Sequence, residues 1–459
     1  MASRELIANR KHAPHHLGRV LVLGLGKSGR AAVAYLLPLL DGRVEALAVA
    51  AGRAGAASRD SQPRHAASAL VAFEDGRWAC WRPRRAGRST CASRPRHLAV
   101  LGLLRAAARP YRPGDQRVEF AWRESAADSR WVAVTGTNGK TTACALAAHV
   151  LAGAGLAAAA VGNIGDPCIE AVAAGRTDVY VAEVSSYQLA STARVAPNVA
   201  VLLNITPDHL HWHRSFEAYR DAKLKLLANL PGVPGAVAVL DATNDVVRAE
   251  VRRLRALDAG ERGFSYVPLG TAAGLTGDMR AACGSDNAAF LDADGTLRVA
   301  LNGAEHAAAR VEELQIKGEH NASNALAVAA AALALGVHES DVAEGLRTFA
   351  PLEHRIEPCG SVAGVRCYND SKATNVDATL KALAAFPETR PVVLLGGDDK
   401  GTDLAPLVEA AHAHAGAVVC FGDAGSDSRP RSGGGRAGSC RFRRGVLRTS
   451  PTRSTRLSR

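Results

Sequence analysis

The residues best suited to chemistry in this sequence lie between Val134 and Thr142, a segment that contains Gly136, Gly139, Lys140 and Thr141. The glycines let backbone N–H groups approach phosphate oxygens without a Cβ in the way. A lysine at this position can reach the β- and γ-phosphates of a nucleotide, and the next hydroxyl can ligate Mg²⁺. The glycines are closer together than in the usual G-x-x-x-x-G-K-[ST] loop. We interpret the segment as a shortened phosphate-binding loop rather than as a glycine turn that binds nothing.

The elements around this loop must hold it at the edge of a sheet. The apolar run from Trp131 to Val134 predicts a buried strand, and the Ala/Leu-rich run from Ala143 to Leu151 predicts a helix. Strand and helix patterns continue to alternate beyond the loop, which favours an α/β fold with a mostly parallel sheet. Such sheets place their sites at the carboxyl ends of the strands.

Two later strand ends carry candidate metal ligands. Glu183 follows an apolar run, and a carboxylate on a strand next to a phosphate-binding loop usually serves Mg²⁺. Asp208 and His209 end the following strand, where a structural role and a ligand role for the histidine are both open. The helix predicted over 216–227 carries Lys223 and Lys225, which periodicity alone cannot distinguish.

Further polar clusters occur at predicted helix starts. Asn321 and Asn324 are spaced i, i+3 and share one helix face, where they bind a base or ribose or cap the helix. The segment 370–375 follows a strand and begins a helix, so it presents donors and a cation where an anion could dock. The segment 396–400 has the same setting.

The N-terminal part contains a second glycine loop. A strand over 20–23 is followed by the G-x-G-x-x-G segment 24–29 and by a helix over 30–37. This arrangement suits a dinucleotide or another pyrophosphate. The next predicted strand, 44–50, lacks the acidic residue expected at its end, which weakens an oxidoreductase interpretation. A pyrophosphate loop and a simple tight turn both stay open.

Charge is unevenly distributed along the 459 residues, whose net charge is +12. Residues 41–125 hold 16 Arg and 8 acidic residues, and residues 424–459 hold 10 Arg and one acidic residue, without any Lys in either. The rest of the chain is therefore acidic. The two segments are either disordered basic tails or the product of a shifted reading frame. We favour the second because they interrupt otherwise ordered domains.

The composition indicates in which cellular compartment the protein works and which classes of partner it binds. Nine cysteines without paired spacing favour a reducing compartment, and no apolar run approaches a membrane span, so we expect a cytoplasmic protein. The positive charge alone would suggest nucleic acid, but its confinement to two segments argues against that partner. A basic nucleic-acid-binding protein is therefore kept only as an alternative class.

Several motifs together resemble a known family. They occur in the order found in the ATP-dependent Mur ligases of peptidoglycan synthesis, and two of them, 185–189 and 370–375, are similar to those of the family's D-glutamate-adding branch. The motifs are 135–142, 162–165, 183–189, 204–209, 318–324, 354–355 and 369–375.

The resemblance implies an α/β chain of three domains: a Rossmann-like substrate domain over 1–126, a central ATP-binding domain over 127–351 and a Rossmann-like domain for D-glutamate over 352–459. It implies a monomer that uses ATP to add D-glutamate to UDP-N-acetylmuramoyl-L-alanine through an acyl phosphate. Residues 41–125 and 424–459 depart from the family pattern. The alternatives are a catalytically impaired remnant, or another Mur ligase or folylpolyglutamate-synthase-like enzyme.

The resemblance also assigns residues to roles. The metal set is Thr141, Glu183, His209 and a carbamylated Lys223, and the catalytic set is Lys140, Glu183, His209 and Lys223. The ATP set is Gly136, Thr137, Asn138, Gly139, Lys140, Thr141, Thr142, Asn321, Asn324, Arg355 and Asp370. The set for the two other substrates is Gly26, Lys27, Ser28, Asn163, Ser185, Gln188, Lys372, Thr374 and Lys400.

Overall fold

A computed structural model of the chain describes residues 6–23, 26–52, 68–74, 77–81, 117–270, 274–277, 280–396 and 404–421. The chain divides into two compact units. The first comprises Met1–Leu314 and Ser323–Phe349, and the second comprises Gln315–Ala322 and Ala350–Arg459. The three-domain division at 126 and 351 stays a prediction.

The first unit contains thirteen strands in its described part. They are β1 Gly18–Leu23, β2 Val44–Gly52, β3 Ser68–Glu74, β4 Arg77–Trp81, β5 Arg130–Thr135, β6 Ala158–Gly162, β7 Val179–Glu183, β8 Val199–Leu202, β9 Val237–Asp241, β10 Ser265–Leu269, β11 Ala288–Leu291, β12 Thr296–Leu301 and β13 Ala304–Arg310.

The described residues up to Thr348 also form twelve helices, one of which, Glu319–Ala334, has residues in both units. They are α1 Lys27–Leu36, α2 Arg117–Glu124, α3 Lys140–Gly153, α4 Cys168–Ala174, α5 Ser186–Ser191, α6 Leu210–His213, α7 Phe216–Leu224, α8 Asp245–Arg255, α9 Ala259–Arg262, α10 Arg280–Cys283, α11 Glu319–Ala334 and α12 Glu339–Thr348.

A nine-stranded sheet forms the centre of the first unit, in the order β13-β12-β11-β10-β9-β8-β5-β7-β6. Strands β6 to β11 and β5 pair in parallel, and only β12 and β13 join in antiparallel fashion. This confirms the predicted α/β class with a mostly parallel sheet. Strand β5 lies between β7 and β8, so the chain after β5 leaves from the point where the strand order reverses. Open α/β sheets bind their ligands at such a point.

The central parallel strands β5, β7, β8 and β9 are mostly hydrophobic and almost wholly buried, because both faces of a parallel sheet are covered. All five described residues of β7 and all five of β9 are buried. Trp131 on β5 stacks on Tyr180 of β7 at 4.8 Å between ring centroids. The apolar run before Glu183 forms β7, and the helix predicted over 143–151 is confirmed within a few residues.

A four-stranded sheet in the order β1-β2-β3-β4 carries the N-terminal glycine loop. Its first three strands are parallel, and β4 is antiparallel to β3. Residues 41–125, which depart from the family pattern, contain β2, β3, β4 and α2 in their described part, and β2 agrees with the strand predicted over 44–50. Helix α2 was not predicted, because eight residues, several of them charged, are too few to show a helical hydrophobic periodicity.

The second unit is smaller. It contains β14 Glu357–Val362, β15 Val365–Asn369, α13 Val376–Ala384, β16 Val392–Gly396, α14 Ala405–His414 and β17 Ala417–Phe421. Strands β14 and β15 form an antiparallel hairpin, and β16 pairs with β17 in parallel.

None of the helices in the described ranges is long and apolar enough to span a membrane.

Candidate functional site

The loop between β5 and α3 is held by contacts that require glycine. Gly139 is the N-terminal cap of α3 and has a φ of 85°, in the left-handed region that disfavours residues with a Cβ. A Cβ built on it would lie 2.7 Å from Asn324 Oδ1. Gly136 is similarly close to Leu203, with 3.1 Å between the two Cβ positions. The loop is therefore packed tightly between the end of β8 and the start of α11.

Asn204 holds the same loop by hydrogen bonds to the loop backbone, which could not be read from the sequence. Its Oδ1 accepts a hydrogen bond from the Asn138 N–H at 2.8 Å, and its Nδ2 donates to the Asn138 carbonyl at 3.1 Å. Its own carbonyl accepts from the Thr137 N–H at 2.7 Å. Asparagine presents one donor and one acceptor on a short side chain, as this two-way contact demands. In the sequence, only its place in the motif 204–209 drew attention to Asn204.

Two lysine amines converge inside the loop. Lys140 Nζ donates to the carbonyl oxygens of Gly136 and Thr137 at 2.9 and 2.8 Å. Lys223 Nζ, which arrives from α7, donates to the same Gly136 oxygen at 2.6 Å. Lys223 is 2% exposed, and its Nζ lies 4.8 Å from the centre of the Tyr219 ring. Burial, followed by the charge of Lys140, lowers the pKa of the Lys223 amine well below its usual value.

Glu183 ends β7 with one carboxylate oxygen unused. Its Oε1 accepts from Asn163 Nδ2 at 3.3 Å, whereas Oε2 is buried without a hydrogen-bond partner. The side chain is only 3% exposed. A buried carboxylate oxygen without a donor is costly unless a cation compensates it. The structure thus brings Asn163, which the resemblance assigned to the substrate, next to the strand-end residue Glu183.

His209 lies at the rim of this group, in a left-handed conformation with a φ of 54°. Its Nδ1 is 3.5 Å from Asp208 Oδ1, and its ring lies 4.9 Å from that of Tyr187. Partial burial lowers the pKa of His209, and the Asp208 carboxylate opposes that shift. The charges of Lys140 and Lys223 lower it further, so both lysines lie close enough to His209 to affect its pKa.

Ser185 and Gln188 are joined to each other in a capping box at the start of α5. Gln188 Oε1 accepts from the Ser185 N–H at 2.8 Å and from Ser185 Oγ at 2.9 Å. Next to them, Ser186 Oγ lies 3.0 Å from His213 Nε2, and both side chains are buried. The sequence did not single out His213, because a histidine inside an aromatic segment has no distinguishing pattern.

The N-terminal glycine loop approaches the Gly162–Gly165 turn. Lys27 Nζ donates to the Gly165 carbonyl at 2.7 Å and lies 3.7 Å from Asp166 Oδ1. Ser28 and Gln188 line a small pocket with Gly162. Gly26 caps α1 without a side-chain hydrogen bond, and residues 24–25 lie outside the described part.

The remaining predicted residues divide between the units. Asn324 contacts the phosphate-binding loop in the first unit, as described above. Asn321, in the second, donates from Nδ2 to the Lys317 carbonyl at 2.8 Å. Lys400 lies outside the described residues.

A turn over 354–356 and the segment after β15 face each other in the second unit. Asp370 Oδ1 accepts from the Ile356 N–H at 3.1 Å, and the Lys372 N–H donates to the His354 carbonyl at 3.2 Å. Burial raises the pKa of Asp370, and the nearby Arg355 opposes that shift. The structure therefore brings these predicted residues together. Thr374 follows on the same segment and is exposed.

The described residues contain no cluster of three or more His, Cys, Asp or Glu side chains arranged to hold a metal. Mg²⁺ normally takes one or two carboxylates and completes its shell with phosphate oxygens and water. The Glu183 oxygen and the Thr141 hydroxyl fit that mode of binding, which does not need a preformed protein cage.

Two domain families match the chain in comparisons with known proteins. The Mur ligase middle domain matches residues 134–332, and the Mur ligase glutamate ligase domain matches residues 354–434. Together they span more than half of the sequence. The chain belongs to the Mur ligase family. The loop, the Glu183 strand end and Lys223 of this Mur ligase all lie within the first matched domain.

Curated relatives extend the match. The UDP-N-acetylmuramoylalanine–D-glutamate ligase of Alkaliphilus metalliredigens is 38% identical over 308 residues, which cover 67% of this chain and 62% of that protein. The enzyme of the same name from Thermobifida fusca is 37% identical over 309 residues, covering 66% and 62%. This Mur ligase therefore spans less than two thirds of the length of these relatives.

Solved structures share the fold at lower identity. A pseudomurein peptide ligase type C from Methanothermus fervidus aligns with a TM-score of 0.51 and 18% identity, over 88% of this chain and 84% of that one. The Mycobacterium tuberculosis folylpolyglutamate synthase, solved with ADP and AMPPCP, gives 0.50 and 16%, over 70% and 81%. At these identities the likeness of the Mur ligase chain shows the fold alone.

Proposed function

We propose that this chain is an ATP-dependent ligase that joins D-glutamate to UDP-N-acetylmuramoyl-L-alanine in peptidoglycan synthesis. The observation that carries the proposal is the convergence of Lys140 and Lys223 on the Gly136 carbonyl, within electrostatic range of the unpartnered Glu183 oxygen. The lysines would bind a phosphate and the carboxylate would bind a cation, side by side at the point where the strand order of the sheet reverses. The names of the relatives supply the acceptor and the amino acid.

The chemistry follows from the poor reactivity of a carboxylate. The terminal alanine carboxylate attacks the γ-phosphorus of ATP, and ADP leaves. The amine of D-glutamate then attacks the acyl carbon of this acyl phosphate, and inorganic phosphate departs with the electron pair of the broken C–O bond. Lys140 and the N–H groups of the loop stabilise the charge that develops on the transferred phosphoryl oxygens.

The residues present fit a magnesium ion. Glu183, Thr141 and His209 would hold it, together with Lys223 once that amine carries a carbamate. Mg²⁺ would neutralise the charge on the phosphate oxygens during transfer. Lys223 is suited to carbamylation because its amine is buried against a carbonyl and a tyrosine ring, where water does not compete.

The other substrate-binding roles divide along the chain in this proposal. The domain over 1–126 holds the UDP part through Gly26, Lys27 and Ser28, and Asn163, Ser185 and Gln188 face the muramoyl-alanine part. The domain over 127–351 supplies the loop residues 136–142 and the two asparagines at the start of α11 to ATP. The domain over 352–459 supplies Arg355 and Asp370 to ATP, and Lys372, Thr374 and Lys400 to D-glutamate.

We further propose that the enzyme works as a cytoplasmic monomer without a nucleic-acid or membrane partner. ATP and UDP-linked precursors are cytoplasmic metabolites, and Cys144 and Cys168 are buried free thiols, as suits a reducing compartment. Sedimentation of the purified chain tests the oligomeric state.

ADP release coupled to a dehydrogenase assay tests the proposed reaction. We expect turnover that needs UDP-N-acetylmuramoyl-L-alanine, Mg²⁺ and D-glutamate, with L-glutamate inactive. Lys140→Ala should reduce it by at least about 10²-fold. Lys225→Ala is the matched control, because Lys225 is exposed and donates to the Ala190 carbonyl. ATP binding without any ligation would instead support a catalytically impaired remnant, and full activity of Lys140→Ala would refute the site.

A further inference from the structure

Helix α2 belongs to two hydrophobic cores at once. Val118, Ala121 and Trp122 are buried in the large core, which also contains Trp131 on β5. Phe120 packs against that core and also against the small core of the N-terminal sheet. An eight-residue helix has little apolar surface to share between two partners, so polar contacts must fix its orientation.

One end of α2 is fixed to the N-terminal sheet by Glu124. This carboxylate is completely buried and accepts from both terminal nitrogens of Arg43 at 2.9 Å. Tyr35 on α1 donates its hydroxyl to the same carboxylate at 2.8 Å. A bidentate arginine pair with a third donor satisfies a buried carboxylate and holds it in one geometry. Glu124 therefore fixes α2 to both α1 and the start of β2.

The other half of α2 is fixed by Glu119 to the loop that follows α5. Its Oε2 accepts from the Ala193 N–H at 2.6 Å and from the Arg194 N–H at 3.1 Å, and the side chain is 4% exposed. These amides belong to the loop that leaves α5. The opposite end of α5 carries Ser185 and Gln188, so Glu119 fixes the helix that follows the Glu183 strand end.

We propose that Glu119 and Glu124 are positioning residues that make α2 a bracket between two halves of one extended binding site. The inference rests on the proposed function, in which the glycine loop before α1 holds one end of the substrate and the strand ends of the large sheet hold the other. A ligand that spans two sites gains affinity only while their separation is fixed. The two carboxylates supply that fixed separation, because Glu124 anchors α2 to α1 and the start of β2, whereas Glu119 anchors it to the loop after α5.

A purely structural role would have different consequences. Loss of stability alone lowers the amount of folded enzyme and leaves the KM values of the remainder unchanged. Loss of the bracket acts selectively on the ligand that spans both sheets, and it spares ligands bound by one sheet.

Steady-state kinetics of Glu119→Ala in the full chain separate these cases. We expect the KM for UDP-N-acetylmuramoyl-L-alanine to rise at least about tenfold, while the KM for ATP changes by less than about twofold. The affinity for UDP alone, measured by calorimetry, should be unchanged. Glu119→Gln should restore most of the affinity, because its amide oxygen still accepts from the two N–H groups. Glu170→Gln, on the exposed side of α4, is the control. Equal changes in both KM values, or none, would overturn the inference.

Two further measurements keep the inference testable. If Glu119→Ala does not fold, Glu119→Asp retains the charge but shortens the reach to Ala193 and Arg194, and the same KM split is expected. If the wild-type chain does not ligate D-glutamate, the proposed function fails, but hydrogen exchange still tests the bracket. Glu119→Ala should then accelerate exchange in α1 as well as at the two amides. Acceleration confined to those amides would contradict the bracket.

Discussion

Lys140 and Lys223 donate to the same acceptor, the carbonyl oxygen of Gly136, at 2.9 and 2.6 Å. One amine comes from the first turn of the helix that follows the loop, and the other comes from α7, more than eighty residues later. Burial, and after it the charge of Lys140, lowers the pKa of the Lys223 amine well below its usual value. A lower pKa increases the neutral fraction of an amine, and a neutral amine is the form that reacts with CO₂.

Lys223→Ala should reduce ADP release by at least about 10²-fold. The physical reason is the loss of the buried group that the proposed carbamate needs, next to the loop. Lys225→Ala is the matched control, two residues away on the exposed surface. Intact-mass measurement of the wild-type enzyme in CO₂-saturated and CO₂-depleted buffer checks the carbamate directly. An active, CO₂-equilibrated enzyme with an unmodified Lys223 would contradict the carbamate.

Gly139→Ala should remove ATP binding and destabilise the fold by more than about 1 kcal/mol. Its Cβ would be strained at a φ of 85° and would lie 2.7 Å from Asn324 Oδ1. Gly155→Ala separates these effects, because Gly155 has a φ of 81° but open space where the Cβ would be. We expect the control to show only the conformational cost and to bind ATP normally in calorimetry. Similar losses in both variants would show that packing against Asn324 is unimportant.

Glu183→Gln should raise thermal stability in the absence of Mg²⁺ while it abolishes ligation. The Oε2 atom is buried without a donor, so exchange of the carboxylate for a neutral amide removes a desolvation cost on the order of 1 kcal/mol. The same exchange removes the charge that a cation would use. Thermal unfolding with and without Mg²⁺ and ATP checks both parts, with Glu170→Gln as the exposed control. A variant that is less stable and still active would argue against a cation role for Glu183.

The second unit should lose stability as the pH falls from about 6.5 towards 4. Burial lowers the pKa of His320 to about 4, with Lys381 as a further cause and Asp377 opposing it. Because the folded pKa lies below the unfolded value of about 6.5, the unfolded chain binds the proton first, and acid favours unfolding. Stability is complete above pH 6.5 and falls by about 1 to 3 kcal/mol by pH 4.

Denaturant unfolding of the wild type and His320→Gln at several pH values isolates this contribution. Carboxylates that titrate in the same range affect both proteins equally, so the difference between the two curves belongs to His320. A constant difference between pH 7.5 and 4 would exclude the histidine as the cause.

Much of the site could be predicted from local sequence because its backbone geometry is local. A strand, a glycine turn and a helix that opens on a lysine fix the loop over 134–142 through the nearest neighbours in the chain. Glu183 was predictable for a similar reason, since parallel strands end at one edge of the sheet, whereas Asn163 was named only through the family resemblance. The α/β class followed from the alternation of the same patterns.

Tertiary packing decided what local patterns could not. Lys223 and Lys225 have equivalent sequence surroundings, and only the packing of α7 buries the first on Gly136 and leaves the second exposed. Long-range contacts also join segments that are far apart in the chain. Asn204 and Asn324 contact the phosphate-binding loop, and Glu119 accepts hydrogen bonds from the amides after α5. Sequence by itself thus determined the fold class and the loop, because short-range periodicity and glycine stereochemistry encode them. Burial and long-range hydrogen bonds exist only once distant segments meet. The family resemblance pointed to Lys223, but only the folded structure showed its burial on Gly136 and the contacts of Asn204 and Glu119.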